Sequence, residues 1–162
     1  MVWMAACRFL SRLGGDKRFT SGFFINRARG TLMKYQAQEF NDGLREKINA
    51  GEADAKKLCE VLEANYKGLF SERKMEFDIA FDREGDEIFA PPYSSSIAIG
   101  MFSEEDEVIH IIRIWECERS FFGLPVSLQI PGSKVTGVFM EETFEEIQEE
   151  LKEVIQEFLL EE

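Results

Sequence analysis

The side chains best suited to move a proton or attack an electrophile are scarce in this chain. It has one histidine, His110, and three cysteines, Cys7, Cys59 and Cys117. An imidazole titrates near neutrality, which makes His110 a candidate general base or metal ligand. A metal would need further nitrogen or sulfur ligands, and there is no second histidine. A cysteine beside an imidazole makes a nucleophile–base pair. Positions 110 and 117 differ by an odd number, however, and a regular strand turns such side chains to opposite faces. The expectation is a packed or hydrogen-bonded His110, a Cys117 uncoupled from it, and a Cys59 belonging to the core. No catalytic, cofactor-binding or metal-binding residue is assigned.

Carboxylates are abundant, with 31 Asp and Glu, so finding two close together carries little information. Glycoside chemistry needs a pair aimed into one cleft, whereas these alternate outward from strands or line a helix flank. The segment SEEDE, residues 103–107, lacks the spaced oxygen ligands of a calcium loop and reads as a solvated turn. Gly85, Gly100, Gly123, Gly132 and Gly137 are isolated from one another, so no Gly-rich phosphate loop exists.

Two amphipathic helices lead the folded part. Ala37, Phe40, Leu44 and Ile48 recur at helical spacing over residues 36–49, and Asn49-Ala50-Gly51 reads as a stop. Ala55, Leu58, Leu62, Tyr66 and Leu69 line a second helix over residues 52–70, giving a helical hairpin or one helix with a break. From Met75 the period becomes two, which marks a half-buried strand, MEFDIAFDR. A turn at Gly85 leads to a short return strand, EIFA, ended by Pro91-Pro92. SSIAIGMF and EVIHIIRIWECE follow, the latter apolar on both faces and so a central strand. FFGLPVSLQIPG alternates again, with Pro125 pointing to an edge or bulge, and KVTGVFM is a further short strand. Thr143 and Glu146 form a capping box ahead of a last helix whose apolar stripe runs from Phe144 to Leu159.

Charge divides the chain at Met33. Residues 1–32 hold six basic residues (Arg8, Arg12, Lys17, Arg18, Arg27, Arg29) against Asp16 alone, while residues 33–162 hold thirteen basic and thirty acidic ones. The acidic part repels phosphate backbones and attracts basic partners. Three readings fit residues 1–32: a mitochondrial-type transit peptide, a native basic arm, or upstream sequence included by an overlong start assignment, Arg29-Gly30 being encodable by a purine-rich ribosome-binding site. In each case the segment is expected outside the core. Widely spaced, odd-numbered cysteines indicate a reducing compartment. That means the cytoplasm, or the mitochondrial matrix if residues 1–32 are a transit peptide.

The last helix concentrates the negative charge. Glu145, Glu146, Glu149, Glu150, Glu153 and Glu157 crowd its polar side, relieved there by Lys152. Like charges four residues apart each cost about 0.2–0.5 kcal/mol. That cost is understandable if the row faces a basic partner, and glutamates one turn apart approximate the spacing of a row of phosphates. The stretch IPGSKVTGVFMEETFEEIQEELKEVIQEFL, residues 130–159, is similar to the end of HicB-type antitoxins, in which a Pro-Gly turn precedes a Thr-x-x-Glu-capped helix. Pro131-Gly132 and Thr143/Glu146 are the matching residues. The gap between them is longer than in that family, and two leading helices are foreign to it.

These readings combine into an α+β domain over residues 33–162. It comprises an N-terminal helical hairpin, an antiparallel sheet of five or six strands, and a C-terminal amphipathic helix packed on the sheet. The expected role is that of a non-enzymatic acidic inhibitor occluding a basic partner (a toxin, nuclease or nucleic-acid-binding protein) in the manner of immunity, antitoxin or phage anti-defence proteins. The expected contacts are the six glutamates above, with Phe121, Phe122 and Tyr93 as apolar anchors. No cofactor, direct nucleic-acid contact or membrane is expected. Two alternatives stand beside this: an organellar acidic or chaperone-like protein, and an enzyme whose site lies near His110. A pocket converging on that imidazole with two carboxylates would favour the last.

Overall fold

The structure is a computed structural model that describes residues 23–24 and 32–161. Most of the basic segment assigned above to residues 1–32 lies outside the described residues. The chain forms an α+β fold with seven strands and two α-helices. The strands are β1 (Phe23–Phe24), β2 (Leu32–Gln36), β3 (Glu76–Glu84), β4 (Tyr93–Phe102), β5 (Glu107–Phe121), β6 (Leu124–Pro125) and β7 (Lys134–Met140). The helices are α1 (Asp42–Glu72) and α2 (Phe144–Glu161). Neighbours along the order β2-β7-β5-β4-β3 are all antiparallel, β6 pairs antiparallel with the end of β5, and β1 pairs parallel with β5 at Val108 and Ile109.

The expected helical hairpin is one continuous helix of 31 residues. Asn41 caps it, its side-chain oxygen accepting from the Leu44 amide at 2.9 Å. The supposed stop at Gly51 falls in phase with the buried stripe Leu44, Ile48, Ala55, Leu58 and Leu62, so the apolar face runs through it unbroken. Gly51 is instead a buried position on that face. A Cβ there would meet the Phe139 ring at 3.5 Å and Ile114 at 3.7 Å, ordinary van der Waals contacts that leave room for alanine. The true stop is Lys74, at φ 59. Its amide donates to Ser71 O at 3.1 Å and the next amide, Met75, donates to Phe70 O at 2.9 Å, a left-handed cap usually built on glycine.

The expected return strand at residues 87–90 is a turn closed by Ala90 N donating to Glu87 O at 3.0 Å. Its residues serve the core: Ile88 is buried and Phe89 stacks on Phe40, with ring centroids 4.7 Å apart. The alternating run after Phe121 forms strand only at Leu124–Pro125. β2, for which no strand was expected, precedes the helix, and its five residues pair with β7 from Leu32↔Met140 to Gln36↔Thr136.

Register assigns the faces. β4 pairs with β5 as Ile99↔His110 and Ile97↔Ile112, then as Ser95↔Trp115 and Tyr93↔Cys117, with a shift between Ser95 and Ser96. One extra β5 residue, Ile114, lies in that shift, which is a β-bulge. Parity inverts across it. His110 and Ile112 before the bulge share a face with Trp115 and Cys117 after it. Both helices pack on that face and close one core containing Ile97, Ile99, Ile112, Ile114, Trp115, Leu151 and Ile155.

Trp115 is fully buried and contacts Tyr35, Phe40, Phe89 and Phe139, with centroids 5.9–6.4 Å away. Its Nε1 donates to Ile88 O at 2.8 Å. Its six-membered ring lies across Gly137, where any Cβ would overlap ring carbons. Substitution Gly137→Ala should therefore destabilise the fold by about 1–3 kcal/mol through overpacking. Urea denaturation followed by tryptophan fluorescence would measure the loss, and an unchanged midpoint would contradict the ring placement.

Candidate functional site

The residues expected to act together divide among three places. On α2, the apolar stripe Ile147, Leu151, Ile155 and Phe158 is buried, and the capping box is formed as expected. Thr143 N donates to Glu146 Oε2 at 2.7 Å, and Glu146 N donates to Thr143 Oγ1 at 3.3 Å. Glu145, Glu146, Glu149, Glu153 and Glu157 are exposed. Lys152 donates to Glu149 at 3.1 Å. The row 145, 149, 153, 157 follows one line along the helix, since residues four apart stack.

Glu150 departs from this set. It turns inward and its Oε1 lies 2.9 Å from Nε2 of His110, whose side chain is 0% exposed. The ionised carboxylate accepts and the imidazole donates. A β5 residue and an α2 residue are thus tied across the core face. The expectation of an interior, hydrogen-bonded His110 matches this geometry, whereas Glu150 belongs to the interior contact and not to the outer row. The reason is helical phase: Glu150 lies one residue from buried Leu151 and three from Ile147, on the edge of the apolar stripe.

Carboxylates do gather here. Burial raises the proton affinity of the Glu142 carboxyl above its ordinary value, the negative charges of Glu150 and Glu146 raise it further, and His110 opposes them. A histidine oriented by a carboxylate is two-thirds of a nucleophilic triad. The bulge places Cys117 on the same face as His110, contrary to simple parity. Seven residues of strand still separate the two by about 20 Å, at roughly 3.3 Å per residue. Burial pushes the Cys117 thiol up to about 12, which disfavours a thiolate. The geometry makes the His110–Glu150 pair a strut between helix and sheet. Among the described residues, no group of three or more His, Cys, Asp or Glu side chains is arranged to hold a metal ion.

Tyr93, expected as an exposed anchor, is 1% exposed. It begins β4 on the core face, and its hydroxyl donates to Glu52 Oε1 at 2.6 Å. Glu52 is itself buried on α1, with Arg83 Nη1 at 3.8 Å from its other oxygen. Burial first, and then the hydrogen bond to Glu52, raise the Tyr93 hydroxyl well above its ordinary value. Sequence reasoning missed this contact. Its signal was a glutamate at position 52, four residues after Ile48 and three before Ala55 on the apolar stripe.

Phe121 and Phe122 sit at the far end of β5. Phe122 and Gly123 have φ of 49 and 80, and Phe121 pairs with Leu124 across them, a two-residue hairpin turn. Phe122 is 90% exposed at this tip, its ring centroid 4.4 Å from that of Phe121. From His110 to Phe121 the strand runs roughly 35 Å. The tip and the strut to α2 therefore occupy opposite ends of β5, and the aromatics do not adjoin the acidic helix as expected.

Comparison of the chain with protein-family models, curated protein sequences and solved structures finds no match. The HicB-type likeness of residues 130–159 thus has no family-model match beside it. Among the described residues, no helix is long and apolar enough to cross a membrane.

Two expectations follow from the strut. Glu150→Ala removes the carboxylate that meets the buried His110 imidazole at 2.9 Å and should cost about 1–3 kcal/mol. Glu150→Gln keeps an acceptor and should cost less, as read by denaturant midpoints. For Glu142, a carboxyl that binds its proton more tightly folded than unfolded makes folding most favourable below the unfolded value of 4.5, and that contribution is lost as pH rises through the raised folded value. Glu142→Gln should therefore stabilise the protein at neutral pH and lose this advantage below the ordinary carboxyl value of 4.5. A gain that is the same at both pH values would rule this account out.

Proposed function

We propose that this protein is a non-enzymatic acidic binding protein that covers a basic surface of a partner protein through the outer face of α2. The observation that carries the reading is the row Glu145, Glu149, Glu153 and Glu157, all exposed, on a helix whose opposite side is fully engaged in the core. Such a row is not needed for folding. Like charges one turn apart oppose the helix by about 0.2–0.5 kcal/mol per pair. A basic partner reverses the sign of that contribution when it docks, and the field of the row speeds encounter. Immunity, antitoxin and anti-defence inhibitors work by this kind of occlusion. The class of partner follows from charge: a toxin, nuclease or nucleic-acid-binding protein with a cationic working surface. The partner set drawn from the structure is narrower than the sequence suggested, since Glu150 and Tyr93 serve the interior and the Phe121–Phe122 tip lies at the far end of β5.

Affinity capture with the full chain, followed by mass spectrometry, tests this directly. Basic proteins should be retained at low salt and released as salt rises, because screening shortens the reach of surface charge. The combined substitutions Glu145→Gln, Glu149→Gln, Glu153→Gln and Glu157→Gln should weaken the captured partner by roughly tenfold or more, equivalent to about 1.4 kcal/mol. Phe122→Ser should leave its binding unchanged. Retention insensitive to both salt and the glutamine substitutions would refute the proposal.

A further inference from the structure

Residues 120–133 hold no charged side chain, in a chain of which 31% of residues are charged. The first charges on either side are the cations Arg119 and Lys134. The topology gathers this window at the end of β5. Ser120 pairs with Pro125 of β6 on one side of β5 and with Lys134 of β7 on the other, so residues 126–133 cross the strand end between them. They return close to the turn: a Cβ on Gly132 would lie 3.5 Å from the Phe121 ring, whose centroid is 4.4 Å from that of Phe122. In this cluster Phe122, Leu124 and Leu128 are 90%, 68% and 73% exposed. The exposed apolar residues of the helices stand among charges instead, Val61 next to Glu60 and Leu160 next to Glu161. Single ones of that kind are ordinary, whereas an exposed apolar cluster marks an interaction surface.

Phe122 is held there at a conformational cost. A bulky side chain adopts its φ of 49 only with strain, and a two-residue turn of this kind favours Asn before the glycine. Strain at an exposed aromatic points to a contact made outside the chain. Charge decides which contact. Two copies of a protein with net charge −12 repel wherever their carboxylates meet. Residues 119–140 carry no carboxylate. The strut to α2 lies roughly 35 Å away along β5, beyond the ~8 Å reach of charge at physiological salt. An uncharged apolar patch needs another opposite it, and a second copy supplies the same one. We infer that two copies of this chain associate tip to tip about a twofold axis, Phe122, Leu124 and Leu128 of each covering those of the other. The patch is smaller than a permanent interface, so the dimer forms reversibly as concentration rises. The inference is independent of the partner reading for α2, which uses another surface.

Sedimentation velocity of the full chain tests this. The mean sedimentation coefficient should rise with concentration and level off at the dimer. It should rise further with added salt, because screening removes the repulsion between copies. Salt acts in the opposite direction on partner binding through α2, so the two readings fail separately. The combined variant F122S and L128S should weaken self-association by roughly tenfold or more, with an unchanged urea midpoint showing that it is folded. The same variant, fluorescently labelled, should sediment no faster when unlabelled wild-type chain is added, since a twofold contact needs the patch on both copies. A wild-type chain that stays monomeric at every concentration would overturn the inference. So would association that persists in the variant, grows beyond the dimer, or joins the labelled variant to the wild type. A monomeric chain that floats with phosphatidylcholine vesicles would overturn it as well, a lipid surface then being the occupant.

Discussion

A single extra residue in β5 determines which side chains meet the helices. Before Ile114 the even-numbered residues of the strand face the core, and after it the odd-numbered ones do. Without that bulge, Trp115 and Cys117 would turn to the helix-free face, and the aromatic cluster of Tyr35, Phe40, Phe89 and Phe139 would lose its centre. The indole also dictates its surroundings. It needs a carbonyl for its nitrogen, supplied by Ile88, and a residue without a side chain beneath it, supplied by Gly137. Large aromatic rings contribute most when buried and satisfied together, so strand, turn and glycine are constrained as a unit.

The same face carries two polar contacts between helix and sheet, one near each end of the core. Glu52 of α1 meets Tyr93 of β4, and Glu150 of α2 meets His110 of β5. Each puts a carboxylate on the flank of an apolar helix stripe, where it gains a hydrogen bond in place of water. Such contacts add little net stability, because desolvation offsets much of what the hydrogen bond returns. Their consequence is positional: leaving either partner unmatched is costly, so each helix has one preferred placement on the sheet.

Apart from Glu116, buried beside Arg113, the remaining carboxylates reach the surface in whole or part, and they are not equivalent. Those on α2 line an exposed helix flank, as a partner surface would. Those on β3 lie along the edge of the helix-free face of the sheet. A strongly negative protein that assigned every carboxylate to solvent would gain solubility and little else. The carboxylates are thus divided between interior struts, an outer helical row and a sheet face.

The sequence alone determined the class of fold and the types of its longer elements. Helical and alternating periodicities depend only on backbone geometry, so α1, β3, β4, β5, β7 and α2 were all legible, as were the Thr143–Glu146 cap and the interior character of His110 and Cys59. What only the tertiary structure decided were quantities that depend on a second element. Gly51 reads locally as a stop, yet it lies buried inside one helix whose apolar face packs against Phe139 and Ile114. Lys74 terminates that helix without a residue type that announces it. Position 150 looks like its neighbours along the glutamate row until His110 lies beside it. Tyr93 looks exposed after two prolines until Glu52 receives its hydroxyl. Parity across β5 needed the one-residue register shift against β4, because a bulge is a property of two strands and is written in neither of them alone.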